Sequence, residues 1–252
     1  MAIDLTPAPG AAPAWRRVTA HGLTETRLLV RNGEQLLLAL VIPIGILVVG
    51  RFVGARLGAL DTLAPSVLAL AVWSSAFTSV AIATGFERRY GVLERLAPTP
   101  LGRLGLLAGK ALAVVLVVAG QLLVLGLVAA ALGWRPAWTA SSVLLMLLLV
   151  VLAVATFAAL ALALAGRLRA EVTLGLANLV YVVLLAVGAL VLPLARYPDA
   201  AQPVIRLLPT AALGEGLRAG AAGQLLGWPV TVLLGWLLLS VAVAWRGFRW
   251  TS

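Results

Sequence analysis

The chain has 252 residues, 62% hydrophobic and 11% charged, with a formal net charge of +10 and a mean hydropathy of +1.08. Soluble domains carry about 45–50% apolar residues, so this composition excludes a soluble globule and predicts an all-α membrane protein with no room for a separate soluble domain of ordinary size. Cysteine is absent, which removes disulfides, Cys-based zinc sites and thiol chemistry, and the arginines sit at the ends of apolar runs, as at membrane flanks, rather than massed as for nucleic acid.

Residues 1–14 are rich in Pro and Ala with no basic start and no apolar core before a cleavage site, and read as a disordered leader. Residues 15–33 predict an amphipathic interface helix. At 100° per residue, Arg16, Arg17, Arg27 and Arg31 fall within a wedge of about 100°, with Val18, Gly22 and Leu29 opposite and Trp15 as an interfacial anchor. A poorly ordered basic tail is the alternative. His21, the only histidine, reads as a bystander rather than a ligand or base.

Span 1, at 34–53, is apolar from Leu36 to Gly50 and short against the about 20 residues a crossing needs, so Arg51 is expected to snorkel and Pro43 to kink it. Residues 54–61 are expected as a loop. Span 2, at 62–84, carries Ser74, Ser75, Thr78 and Ser79, hydroxyls that bond back to their own helix or to a neighbour, with lining of a path as the other option.

The passage Phe86 to Lys110, FERRYGVLERLAPTPLGRLGLLAGK, holds the chain's only lysine and a dense set of charges between two apolar runs. Glu87, Arg88, Arg89, Glu94 and Arg95 predict one short charged helix of two to three turns, at 3.6 residues per turn. Pro98 and Pro100 then forbid continuation and push Ala97 and Thr99 to extended geometry. Composition alone also fits an ordinary solvated loop.

Span 3 is expected at 104–132, with Gln121 as its one strong hydrogen-bonding side chain, and span 4 at 140–165. Span 5 follows at 172–194, interrupted by Asn178 and Tyr181. Residues 195–224 hold Pro198, Pro203 and Pro209 with short amphipathic stretches, one of them capped by Thr210, and span 6 closes the chain at 227–245. Six spans put both termini on one side. Arg16, Arg17, Arg27, Arg31, Arg88, Arg89, Arg95, Arg103, Lys110, Arg167, Arg169, Arg246 and Arg249 fall on that side, against Arg51, Arg56, Arg135, Arg196, Arg206 and Arg218 on the other. The positive-inside rule makes the first side cytoplasmic, in a plasma (inner) membrane.

The wording of the charged passage resembles the cytoplasmic coupling segment of ABC-2 type exporter permeases, whose phrase runs E-x-G-x-L-E-R-L-x-x-T-P-x-x-R-x-x-L-L-x-G-K. Gly91, Leu93, Glu94, Arg95, Leu96, Thr99, Pro100, Arg103, Leu106, Leu107, Gly109 and Lys110 match, and Arg89 stands where the first Glu is usual. The phrase covers about a tenth of the chain, and the six-span topology extends the likeness over most of it. Leu208 to Arg218, LPTAALGEGLR, is a looser match to that family's paired short re-entrant helices before the last span. The resemblance implies a cytoplasmic coupling helix between spans 2 and 3, docked on a separate cytosolic ABC ATPase present in two copies. It also implies a second permease copy or a sister permease as partner. ATP and Mg would belong to the ATPase, with no cofactor bound by this chain.

Absences in the sequence agree. Gly105 to Ala111 mimics a P-loop with the wrong spacing and no hydroxyl after Lys110. HExxH, GxSxG and paired intramembrane carboxylates are missing, so neither catalytic nor metal-binding residues are expected. Asp61, Glu171 and Glu215 lie at span ends or in loops, whereas ion-coupled carriers place ionisable groups within spans. An ion-coupled carrier and a non-transport scaffold or immunity-type protein stay as the other classes. Trp73, Thr78, Gln121, Asn178 and Tyr181 are the sparse polar and aromatic candidates for a substrate path, or else for packing between helices. A lining of Leu, Val and Ala fits a drug-like or lipid-like amphiphile.

Overall fold

The computed structural model describes residues 10–31, 33–57, 60–96 and 98–247, and every regular element among them is helical. Most of the leader expected at 1–14, together with Ala97 and Arg249, lies outside the described residues. The first helices are α1 (Ala14–Arg31) and α2 (Gly33–Leu57), and α3 (Leu60–Trp73) runs through a π-helical turn at Ser74–Ser79 into α4 (Val80–Arg89). A short α5 (Val92–Leu96) precedes the long α6 (Gly102–Ala131) and α7 (Ala140–Ala165). Next come α8 (Ala170–Val187), the four-residue α9 (Gln202–Ile205), α10 (Pro209–Ala221) and α11 (Trp228–Gly247).

Among the described residues, five helices are long and apolar enough to cross a membrane, namely Leu60–Arg89, α6, α7, α8 and Trp228–Arg246. The sixth expected crossing, at 34–53, lies within the continuous α2, whose described apolar run is only Ala39–Phe52. Pro43 sits inside α2 without ending it, and the loop expected at 54–61 is helical up to Leu57.

The α3–α4 helix is the hub, with 72% of its most apolar window buried against at most 33% in the four other candidate spans. Trp73 is fully buried there, stacked on Phe77 at 4.3 Å between centroids and edge-on to Phe157 at 4.8 Å. The π turn supplies one extra residue per turn, and such turns recur at functional or strained positions. Here Ser75 within it donates to Gln121 Oε1 at 2.7 Å, while Gln121 Nε2 donates to Ala39 O at 2.7 Å. One glutamine on α6 thereby ties the π turn and α2 to it, and Ser75 bonds to a neighbouring helix.

The fifth span departs from expectation. Helix α8 ends at Val187, and 188–193 is irregular although the run GALVLP is apolar enough to have continued a span to 194. The reason is the α10 helix, buried along nearly its whole length against α3, α7 and α11. Its Arg218 donates to the carbonyls of Ala189 at 2.7 Å and Leu190 at 2.9 Å, to Ser66 Oγ at 2.8 Å, and to Glu215 Oε1 at 2.7 Å. Glu215 Oε1 in turn accepts from Leu194 N–H at 2.6 Å. Non-helical backbone is tolerated at membrane depth only where the protein itself satisfies it, and this ion pair does so.

Arg218→Met should therefore cost about 3–5 kcal/mol, because it strands two carbonyls and an inward carboxylate. Arg218→Lys should recover only part, since a lysine cannot reproduce the planar fork. Thermal unfolding in detergent reads this out. An Arg218→Met protein melting with wild-type Tm would refute the account.

Candidate coupling site

The passage singled out in the sequence forms a hairpin between α4 and α6. It is not built as one charged helix: α4 carries Glu87, Arg88 and Arg89, and Glu94 and Arg95 lie on the separate α5. The break falls at Gly91, whose φ of +67° suits glycine and strains other residues. On the far side, Thr99 Oγ1 donates to Leu96 O at 2.6 Å, and Gly102 N–H donates to Thr99 O at 3.0 Å. Gly102 has a φ of +66°, so α6 starts there, two residues before the expected Leu104. Two left-handed glycines and two prolines thus bound a turn whose own hydrogen bonds fix its path.

Side chains of the hairpin divide into inward and outward sets. Leu93 is only 1% exposed and pins α5 from beneath. Outward lie Tyr90, Val92, Glu94, Arg95, Pro98, Pro100 and Arg103, with Tyr90 62% exposed. Arg88, by contrast, is 6% exposed. Its Nη1 donates to the Ala165 carbonyl at the end of α7 and to the Leu168 carbonyl at 3.1 Å. A guanidinium over the last carbonyls of a helix meets the negative end of its dipole. Arg89 pairs with Glu171 at the start of α8, an exposed pair of small energetic weight. Lower on α4, Gly85 faces Thr173 so closely that an added Cβ would sit 3.4 Å from it.

Glu87 turns to the other side. Its Oε1 accepts from Lys110 Nζ at 2.5 Å, joining the descending helix to the ascending one below the hairpin. Lys110 also lies 3.8 Å from Glu25 Oε2 on α1. His21 lies at the edge of this charged group. It sits four residues before Glu25, with Nε2 at 3.9 Å from Oε1, and its ring packs on Gly109. Burial pushes the His21 imidazole below its ordinary pKa, opposed by Glu25 and reinforced by Lys110.

The predicted amphipathic helix is present as α1, with Arg16, Arg27 and Arg31 exposed and Arg17 half-buried. Its opposite face lies against α6 at a glycine crossing. A Cβ on Gly22 would come within 2.8 Å of Leu112 Cδ2 and 3.0 Å of Gly109 O. Trp15 remains 63% exposed, with the Arg16 guanidinium 5.2 Å from its ring.

The five path candidates are not brought to one surface. Trp73 and Gln121 serve helix packing, as described above. Tyr181 lies 6.5 Å from Trp73 between ring centroids, Thr78 is partly buried in the π turn, and Asn178 is exposed on α8. A groove of about 80 Å³ does open between α1, α2, α4 and α6, with Glu25, Lys110, Ser75, Ser79 and Thr84 among apolar walls. Drug-sized ligands occupy about 300–1,000 Å³, so this groove holds no whole cargo molecule. Among the described residues no group of three or more His, Asp or Glu could hold a metal ion. Glu25, His21, Glu171 and Lys110 escaped the sequence reading as site residues; the one available signal was that Gly109 and Lys110 end the matched phrase.

The sequence profile described as ABC-2 family transporter protein matches residues 34–246, which takes in the hub helix, the hairpin and α10 and leaves out α1. A search among curated proteins finds no match. That family comprises membrane transport subunits rather than enzymes, in keeping with five helices fit to cross a bilayer. The chain belongs to the ABC-2 family of transporter proteins.

Proposed function

We propose that this chain is the permease subunit of an ATP-driven exporter and that the hairpin from Tyr90 to Arg103 docks on a separate cytosolic ABC ATPase. The observation carrying this reading is the division of labour around the hairpin. Glu87, Arg88 and Arg89 are committed to α6, α7 and α8, whereas Glu94, Arg95 and the prolines face outward on a turn braced by Leu93. A projection rooted in three helices and charged at its tip can take a push from a partner and pass it to the bundle. Chemistry inside the membrane is not required of it.

In this reading α2 serves as a sixth crossing, both termini and the hairpin face the cytoplasm, and the protein sits in the plasma membrane. Basic residues at the ends of α1, α4 and α11 support that orientation. Two ATPases work with two permeases, as a homodimer or with a sister permease. The cargo is an amphiphile, drug-like or lipid-like, since spans built of Leu, Val and Ala suit such a molecule better than a highly charged solute.

Reversing both tip charges, Glu94→Arg with Arg95→Glu, should leave membrane insertion intact and abolish transport, with ATP hydrolysis by the partner no longer coupled to it. Undiminished transport by the double variant would sink the docking role. Replacing Pro98 and Pro100 by alanine frees the turn and should lower cargo efflux while the ATPase still binds. Efflux at the wild-type rate would show that stiffness at the turn is irrelevant.

A further inference from the structure

Gly109 and Lys110 close the matched phrase, yet the docking reading gives them no task. They lie about two helical turns inside α6 from the hairpin, at 3.6 residues per turn, and both face α1. Lys110 is 13% exposed and stands between two carboxylates from two other helices, Glu87 at 2.5 Å and Glu25 at 3.8 Å, each about four-fifths withdrawn from solvent. The bond to Glu87 spans 23 residues and closes the base of the hairpin like a clasp. Next to it, a Cβ on Gly109 would run into the His21 ring, and one on Gly22 would come within 3.0 Å of Gly109 O. Val18, one turn earlier in α1, lies beside Gly105 at the foot of the hairpin.

We infer that Gly109–Lys110 is a joint that holds α1 and the base of the hairpin as one rigid unit, with Lys110 as its positioning residue. The inference rests on the docking reading for its purpose, since a push at the hairpin tip would then carry α1 with it. Its physical basis is separate. One ammonium offsets two half-buried carboxylates, and His21, with its depressed pKa, adds no second cation near neutrality. Removing the ammonium leaves Glu25 and Glu87 without their shared counter-charge in a poorly solvated place. Without it α1 keeps its packing along α6, centred on the glycine crossing, but loses its charged tie to the base of the hairpin.

The absence of cysteine allows spin-label pairs in an otherwise unaltered chain. Thr24→Cys with Leu104→Cys reports α1 against the hairpin foot, and Tyr90→Cys with Leu104→Cys reports the hairpin base; all three positions are exposed. Dipolar EPR on the purified chain in lipid nanodiscs should give one narrow distance for each pair. Lys110→Met should broaden both, and Lys110→Arg should keep both narrow. The exchange Glu87→Lys with Lys110→Glu should restore both pairs, because the one cation then stands at position 87, between the carboxylate at 110 and Glu25. A purely packing role for Lys110 predicts no such rescue. Narrow distances in Lys110→Met, or an exchange that restores neither pair, would overturn the joint. Should Lys110→Met fail to insert, the arginine and exchange variants decide alone. The measurement needs no ATPase, so the joint can fail while docking stands, and docking can fail while the joint stands.

Discussion

Charges at the rim of an apolar bundle have to end on something, and around this hairpin they end on the protein itself. Arg88 finishes on carbonyls of α7 and the loop after it, Glu87 on the lysine of α6, and Arg89 on the first turn of α8. A buried guanidinium without such partners would carry a desolvation cost of several kcal/mol. Satisfying it forces α4 to stop where the ends of α7 and α8 are, so the position of the hairpin follows from where its stem charges are neutralised. The exposed tip inherits that placement.

The same logic operates at the opposite end of the bundle. An apolar run after α8 leaves the helix and α10 buries itself beside α3, an arrangement that exposes carbonyls with no water to meet them. Arg218 and Glu215 meet them instead. Between the two ends, the Trp73–Phe77–Phe157 cluster and the Ser75–Gln121–Ala39 chain of bonds fix the hub helix to its neighbours. The bundle is thus pinned by charge at both ends and by packing and one amide in the middle.

Much of this was legible from hydropathy and punctuation. Spans 3, 4 and 6 fall within a few residues of α6, α7 and α11, because Gly, Pro and Trp mark their ends and long apolar runs fill them. The α1 face was legible from the spacing of four arginines. What escaped has a common cause: long-range partners. Nothing local says that Glu87 belongs with Lys110 rather than Glu94, so α4's stem charges were assigned to a helix with the tip charges. Nothing local distinguishes the run after Val187 from the rest of a span, since the residue that unwinds it, Arg218, lies 29 positions from Ala189. His21 could have been suspected from Glu25 one turn away. The π turn left only four clustered hydroxyls as its trace.

Membership of the ABC-2 family and a hairpin rooted in the bundle make a coherent picture of a transport subunit moved from outside the membrane. A photo-activatable residue placed at Arg95 and irradiated in living cells tests that picture at its contact point. The account predicts a covalent adduct with a nucleotide-hydrolysing cytosolic subunit. Adducts confined to lipid or to proteins on the outer side of the membrane would contradict it.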